Sequence, residues 1–386
     1  MPPQYPDPRL SFQEAMEVVE LTPGQVGSRQ SKWYMSKRPA HLPGSDLPLV
    51  LDDTGAKVLK GTIHKAAFGG CVYAQAALST CRTLAAEESK EGLSEDQRLD
   101  LHSVHGYFTA KGYPDRPFLY SVSPVNTSNT FRAFSVTVHQ TTVPSPHAAE
   151  GIFPPSDANL PLGPPCFTAI TAFKRPEPDS AGISMAEEPP QERFASILSS
   201  RDPSSWPPSP PVDIDLIVDL FGRETAGTFP CVEMRKVDMT AYNEGRPIHE
   251  HRELLLYRLL QPLPADGSGD RGGWDANAHA LVHAFTVDRN GLLMALNHLG
   301  LGQQIGRVAS LSYSFVVHVN TALTVMNYDD PGWWIQEASF PRAAAGRAVI
   351  MSKVWSPSGV HIATEYQDGL CRAYDDSKAR ARLDKL

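Results

Sequence analysis

The most constraining feature of this chain is a recurrence. A long helical stretch followed by a run of short strands occurs once on each side of a break rich in Pro, Ser and acidic residues. The break runs from Arg175 to Asp213, where periodic apolar patterning stops, and it reads as a linker carrying one short helix near Glu192 to Leu198. At 386 residues the chain is too long for one ordinary core and suits two. The expected division is a first domain over residues 1–175, a linker over 176–213 and a second domain over 214–386.

In the first half, Lys65 to Leu84 has helical composition, opens on Gly69-Gly70 and is crowded with Ala, so a sheet can pack closely around it. Strand-like runs follow at His102–Phe108, Phe118–Val125, Phe131–Gln140 and Cys166–Phe173. Alternation of Phe134, Val136 and Val138 with Ser135 and Thr137 marks a sheet with one buried face. In the second half, a strand at Glu253–Leu263 leads into a single helix over Asn277–Leu299. Strands are expected after it at Arg307–Val319, Trp333–Phe340, Arg347–Trp355 and Val360–Arg372. Short turns such as Ser356 to Gly359 favour antiparallel pairing, because parallel strands need long crossovers. The expected fold class is α+β, a helix lying on an antiparallel sheet, twice.

Composition excludes several function classes. With 41% hydrophobic and 20% charged residues, and no apolar run near the roughly 20 residues of a membrane helix, the chain is expected to be globular without a membrane span. A formal charge of −8 argues against nucleic-acid binding, which demands surplus Lys and Arg. The amino terminus lacks a basic start and apolar core, so Cys71, Cys81, Cys166, Cys231 and Cys371 are expected to stay reduced inside the cell. Their scatter excludes a zinc site. Arg235 with Lys236, and the stretch ending in Arg372, are the basic candidates for an anionic ligand, with solvated surface charge as the plain reading.

The run His102 to Val122, with its histidine-rich strand and Asp115-Arg116-Pro117, resembles a block of the type II (TesB-like) acyl-CoA thioesterases. So do the helix start Phe68-Gly69-Gly70 and the run Trp333 to Arg372 with Phe340-Pro341-Arg342, Gln367, Gly369 and Arg372. The resemblance implies a tandem double hotdog, each unit a long central helix wrapped by an antiparallel sheet, and hydrolysis of an acyl-CoA thioester to free acid and CoA. It implies an acyl-CoA or acyl-carrier-bound substrate, a homodimer and no cofactor.

Family habit places the attacking water between an Asp on the second helix, a Ser or Thr on the next strand and a Gln on the last strand. The matching positions are Asp288, Ser314 and Gln367. Asp288 is expected to act as base or water orienter within the helix, Ser314 as a second partner of that water, and Gln367 to align water or carbonyl. Substrate contacts are expected from Gly69, Gly70, Tyr313, His318 and Arg372, the glycines permitting close approach to helix-start amides that lack partners. Relatives typically carry an Asp-His pair where Ser312-Tyr313 stand here and a Trp before the final His318, so the pocket is expected to differ. Lys174 stands where the first unit's counterpart of the catalytic Gln would sit, so that half is expected to be non-catalytic.

Other motifs carry less. No G-x-S-x-G elbow occurs, which argues against a serine hydrolase. Gly300 to Gly306 follows a helix instead of a strand and reads as a helix end. His249, Glu250 and His251 lack H-E-x-x-H spacing. The terminal Asp384-Lys385-Leu386 resembles a peroxisomal address with Asp in the small-residue position, leaving cytoplasm and peroxisome both open. The competing functions are a hotdog dehydratase, hydratase or other enzyme on a CoA- or carrier-bound polyketide, and a non-catalytic acyl-binding protein.

Overall fold

A computed structural model of the protein describes residues 9–22, 31–42, 66–94, 97–178, 185–209, 229–264, 275–301 and 305–373. The carboxy-terminal tripeptide lies outside the described residues. Within them, no helix is long and apolar enough to cross a membrane.

Twelve strands among the described residues form one antiparallel sheet. The first half supplies β1 (Val18–Leu21), β2 (Lys32–Ser36), β3 (Asp100–Phe108), β4 (Phe118–Thr127), β5 (Phe131–Thr141) and β6 (Leu162–Lys174). The second supplies β7 (Val232–Lys236), β8 (Arg252–Leu259), β9 (Ile305–Val317), β10 (Trp334–Ala344), β11 (Arg347–Trp355) and β12 (His361–Ala373). Their order is β1-β2-β4-β5-β6-β3-β9-β12-β11-β10-β8-β7. Read outward from the middle, the two halves repeat the same sequence of strands, so the recurrence in the primary structure is a two-fold repeat in space. The halves are sewn together where β3 pairs with β9, from Ser103 opposite Val316 to Tyr107 opposite Ser312.

After the short helix α1 (Phe12–Met16), the long helix α2 (Gly69–Glu91) and the Ala276–Val287 helix lie on the inner face, packed on each other. Their Ala residues at 74, 76, 77, 278, 280 and 284 are fully buried, and only side chains this small let two helices and a curved sheet share one core. The arrangement is the double hotdog implied by the resemblance.

The second helix departs from the expectation of one continuous element. It stops at Val287 and resumes as Gly291–His298, because Asn290 takes the left-handed φ of 61°. Two strand side chains take up carbonyls of the interrupted end: Tyr313 donates its hydroxyl to Ala284 O at 3.0 Å and Gln336 its amide to Val287 O at 2.9 Å.

The segment expected as a linker packs down. Two short helical turns, Pro190–Arg193 and Ala195–Leu198, bring Phe194 and Trp206 onto Leu254, Leu256, Ile335 and Trp355 on the outer face of the second half. Arg193 forks onto the buried Glu337 carboxylate at 2.8 and 2.6 Å.

Candidate functional site

The interrupted helix presents Asp288 as its C-cap, not as an interior residue. The side chain is 6% exposed and enters the gap between its own helix end and the start of α2. The expected glycine pair explains how the two ends come so close. A Cβ on Gly69 would stand 3.1 Å from Asp288 Oδ2, and one on Gly70 would meet Phe285 O at 3.0 Å. The Gly70 amide donates to the Asp288 carboxylate, so the group sits on the positive end of α2. Burial nevertheless dominates and pushes the Asp288 pKa up to about 7, against the downward pull of the Gly70 amide and Gln367.

Gln367 reaches the same spot from β12. Its Nε2 donates to Asp288 Oδ1 at 2.5 Å and to Ser310 Oγ at 2.8 Å. Ionised, the Asp288 carboxylate only accepts, and the amide then presents its nitrogen to it. The other end, Oε1, is buried without a hydrogen-bond partner. Ser310 Oγ accepts from Gln367, so its own proton is free to be donated.

Ser314 does not join them. On β9 it faces the opposite side of the sheet from Tyr313, and its Oγ lies 3.0 Å from His105 Nδ1 on the outer surface. The reason is a bulge: β12 pairs Asp368 with Ser312 but Gly369 with Ser310, leaving Leu311 as an extra residue. Side chains alternate along a strand, so the extra residue turns Ser310 inward while Ser312 and Ser314 stay outward. The sequence signal for Ser310 was present only as one of three serines at alternate positions.

The other expected contacts divide. Tyr313 is buried opposite Gln367, its ring 4.3 Å from that of Tyr73, and it positions the helix end. His318 is turned to the outer face, where Nε2 lies 2.8 Å from Thr364 Oγ1 and the ring packs on His361. Arg372 is exposed beside the Gly346 turn. Arg235 and Lys236 are taken up by Glu233 and Glu253. Cys71, beside the glycine pair, is fully buried and its thiol is pushed up to about 12 by that burial, as for a small core residue. Beyond the Gly291–His298 helix lies a cavity of about 220 Å³ between that helix and the β10–β11 hairpin, lined by Ala295, Leu299, Phe340, Ala348, His249 and Arg342. Its Ala348 is the cross-strand neighbour of Gly369, two residues beyond Gln367.

Residues 60–153 match the family model of the acyl-CoA thioesterase N-terminal domain. The acyl-coenzyme A thioesterase 8 of Homo sapiens is 23% identical over 312 residues, which cover 80% of this chain and 81% of the human protein. Among solved structures, the acyl-CoA thioesterase II TesB2 of Mycobacterium marinum superposes with a TM-score of 0.55 at 17% identity, over 95% of this chain and 100% of that one. The tesB protein of Mycobacterium avium subspecies paratuberculosis gives 0.52 at 18%, over 94% and 98%. The resemblance to the type II acyl-CoA thioesterases and the double-hotdog fold drawn from the primary structure are both borne out.

Proposed function

We propose that this protein hydrolyses acyl-CoA thioesters to free acid and CoA, with Asp288, Gln367 and Ser310 as the water-activating group. The thioesterase relatives supply the reaction class, and the convergence of those three side chains on the start of α2 supports the site. A thioester carbonyl is activated enough that orienting and deprotonating one water suffices. Asp288, its pKa pushed up to about 7 by burial, accepts the water proton. Gln367 Oε1 accepts the second hydrogen of that water. Ser310 donates toward the oxygen of water or carbonyl, and the amides at the start of α2 favour the negative charge that develops. Collapse of the tetrahedral adduct breaks the C–S bond, and the proton held by Asp288 leaves with the CoA thiolate.

The dehydratase reading would pair a histidine with the carboxylate. The histidines of the Asp288 helix are committed elsewhere, His279 to Leu263 O and the Met326 amide, His283 to Tyr257 and Thr324 O. Anionic groups of CoA would meet Arg342 and Arg372 at the rim of the β10–β11 hairpin. The first half contributes Gly69 and Gly70 but no acid or base. Free, buried cysteines support a reducing compartment, cytoplasm or peroxisome.

A homodimer is supported by the middle of the outer face, where Tyr107 on β3, Ile170 on β6 and, across β9, Tyr366 on β12 are 52%, 49% and 49% exposed. The deciding experiment for the activity is thiol release from a panel of acyl-CoA esters by the wild type and by Asp288→Ala. Absence of release at every chain length would overturn the activity, and full turnover by the variant would overturn the site.

A further inference from the structure

Two residues before Gln367, on the same inward face of β12, stands a second carboxyl group that the hydrolysis above does not use. Glu365 is 1% exposed, with Phe315 on β9 and Ser352 on β11 as its cross-strand neighbours. Its Cα is about 6.6 Å along the strand from that of Gln367, from the rise of two residues. Neither carboxyl oxygen has a hydrogen-bond partner of good geometry, and Gln336 Oε1 nearby on the same inner face is also unpartnered. Ser352 eases the charge only in part: its hydroxyl, which accepts from Gln336 Nε2 at 3.1 Å, has a single proton to give and can serve only one of the two carboxyl oxygens. Burial first, and then the charge of Asp288, hold Glu365 well above the usual carboxylate range. The phenols of Tyr73 and Tyr313 feel both carboxylates, so Asp288 and Glu365 belong to one buried polar wall.

Such a wall is ill suited to a plain alkyl chain, which offers neither donor nor acceptor, and buried polar groups are ordinarily satisfied. We infer that Glu365 is a specificity-determining residue: it takes a hydroxyl group carried by the acyl chain within the first few carbons beyond the thioester carbonyl, so that the substrate class is a hydroxyacyl thioester. The spacing of Glu365 from Gln367 along β12 matches a substituent at carbon 3 to 5 of a chain whose carbonyl lies at Asp288. A neutral carboxyl both donates to and accepts from a hydroxyl, whereas a methylene leaves it unmet.

This inference rests on the thioesterase reading, and the test separates the two. Using the full chain, kcat/KM is compared for decanoyl-CoA, 3-hydroxydecanoyl-CoA and 5-hydroxydecanoyl-CoA in the wild type, Glu365→Gln and Glu365→Leu. The wild type is expected to favour one hydroxylated ester by about tenfold or more. Glu365→Gln, which keeps a donor and an acceptor, retains part of that preference, and Glu365→Leu loses it through slower turnover of the hydroxylated ester. Equal treatment of all three esters by the wild type, or an undiminished preference in the Leu variant, overturns the inference. If Glu365→Leu does not fold, Glu365→Ala takes its place and must lose the same preference. Should no ester be hydrolysed, the thioesterase reading fails, and calorimetric binding of the thioether analogue of decanoyl-CoA against its 3-hydroxy and 5-hydroxy counterparts still decides the role of Glu365.

Discussion

Gln367 donates its amide to Asp288 at 2.5 Å across the gap between β12 and the broken second helix. The contact ties β12 to the point where the first central helix starts and the second one breaks. It holds an acid in a place where burial opposes its ionisation, so activity and stability make opposite demands on Asp288.

For that reason Asp288→Asn should lose activity and gain stability. Loss of the base should lower kcat/KM by about 10²- to 10⁴-fold. The folded-state pKa is raised from 3.8 to about 7. Between those values the folded protein binds more protons than the unfolded one, so wild-type stability falls as pH rises from about 4 to about 7. Replacing the group removes that loss, a gain of at most on the order of 4 kcal/mol above pH 7 and none below pH 4. Thermal melts of both proteins at pH 4 and pH 8 test it; a variant less stable than wild type at pH 8 contradicts the assignment.

The same raised pKa predicts the activity profile. With Asp288 as the proposed base, kcat/KM should climb with an apparent pKa near 7 and level off above it. A profile flat from pH 5.5 to 8.5 would show that some other group takes the proton.

The bulge at Leu311 separates two serines that look equivalent in the primary structure. Ser310→Ala should reduce kcat by about 10- to 10²-fold, the cost of one oriented hydrogen bond in the reacting state. Ser314→Ala, whose hydroxyl meets His105 on the far side of the sheet, should leave kcat within about twofold. Steady-state kinetics of the pair decide the matter, and the reverse ranking would refute the face assignment.

Gly291 tests how closely Gln367 is held. A Cβ there would stand 2.6 Å from Gln367 Oε1, so Gly291→Ala must displace the amide. Gly291 opens a helix and has no positive φ, so alanine does not strain the backbone and improves helix propensity. The expected result is a kcat lowered by about 10²-fold, as for an ångström-scale misplacement, with the melting temperature held within a few degrees. Unchanged kcat would mean that Oε1 takes no part.

How much of this was legible in the sequence can be argued residue by residue. The long helix beginning at Gly69 and the strands β3 to β6 and β8 to β12 follow from period and turn chemistry. The short strands β1, β2 and β7 escaped notice, because four or five residues at a sheet margin carry little periodicity. Asp288 and Gln367 were reached through the resemblance, since an Asp near a helix end and a Gln on a strand are unremarkable alone. Ser310 was passed over for Ser314, and His318 was assigned to a site it faces away from. The order of residues along a strand does not record which face is turned inward, and the bulge at Leu311 sets Ser310 on the face opposite that of Ser312 and Ser314.

The sequence by itself determined the doubled helix-and-sheet plan, the Ala-rich helices able to be wrapped, and the paired glycines where a side chain would not fit. Only the tertiary structure decided that the second helix breaks at Asp288, that an extra residue turns Ser310 inward, and that Glu365 is buried beside them. The physical reason is that periodicity is local, whereas register, helix interruption and the environment of a buried charge depend on strands and helix ends some 80 to 220 residues apart in the chain, as with Gln367 and Asp288 or Gly69 and Asp288.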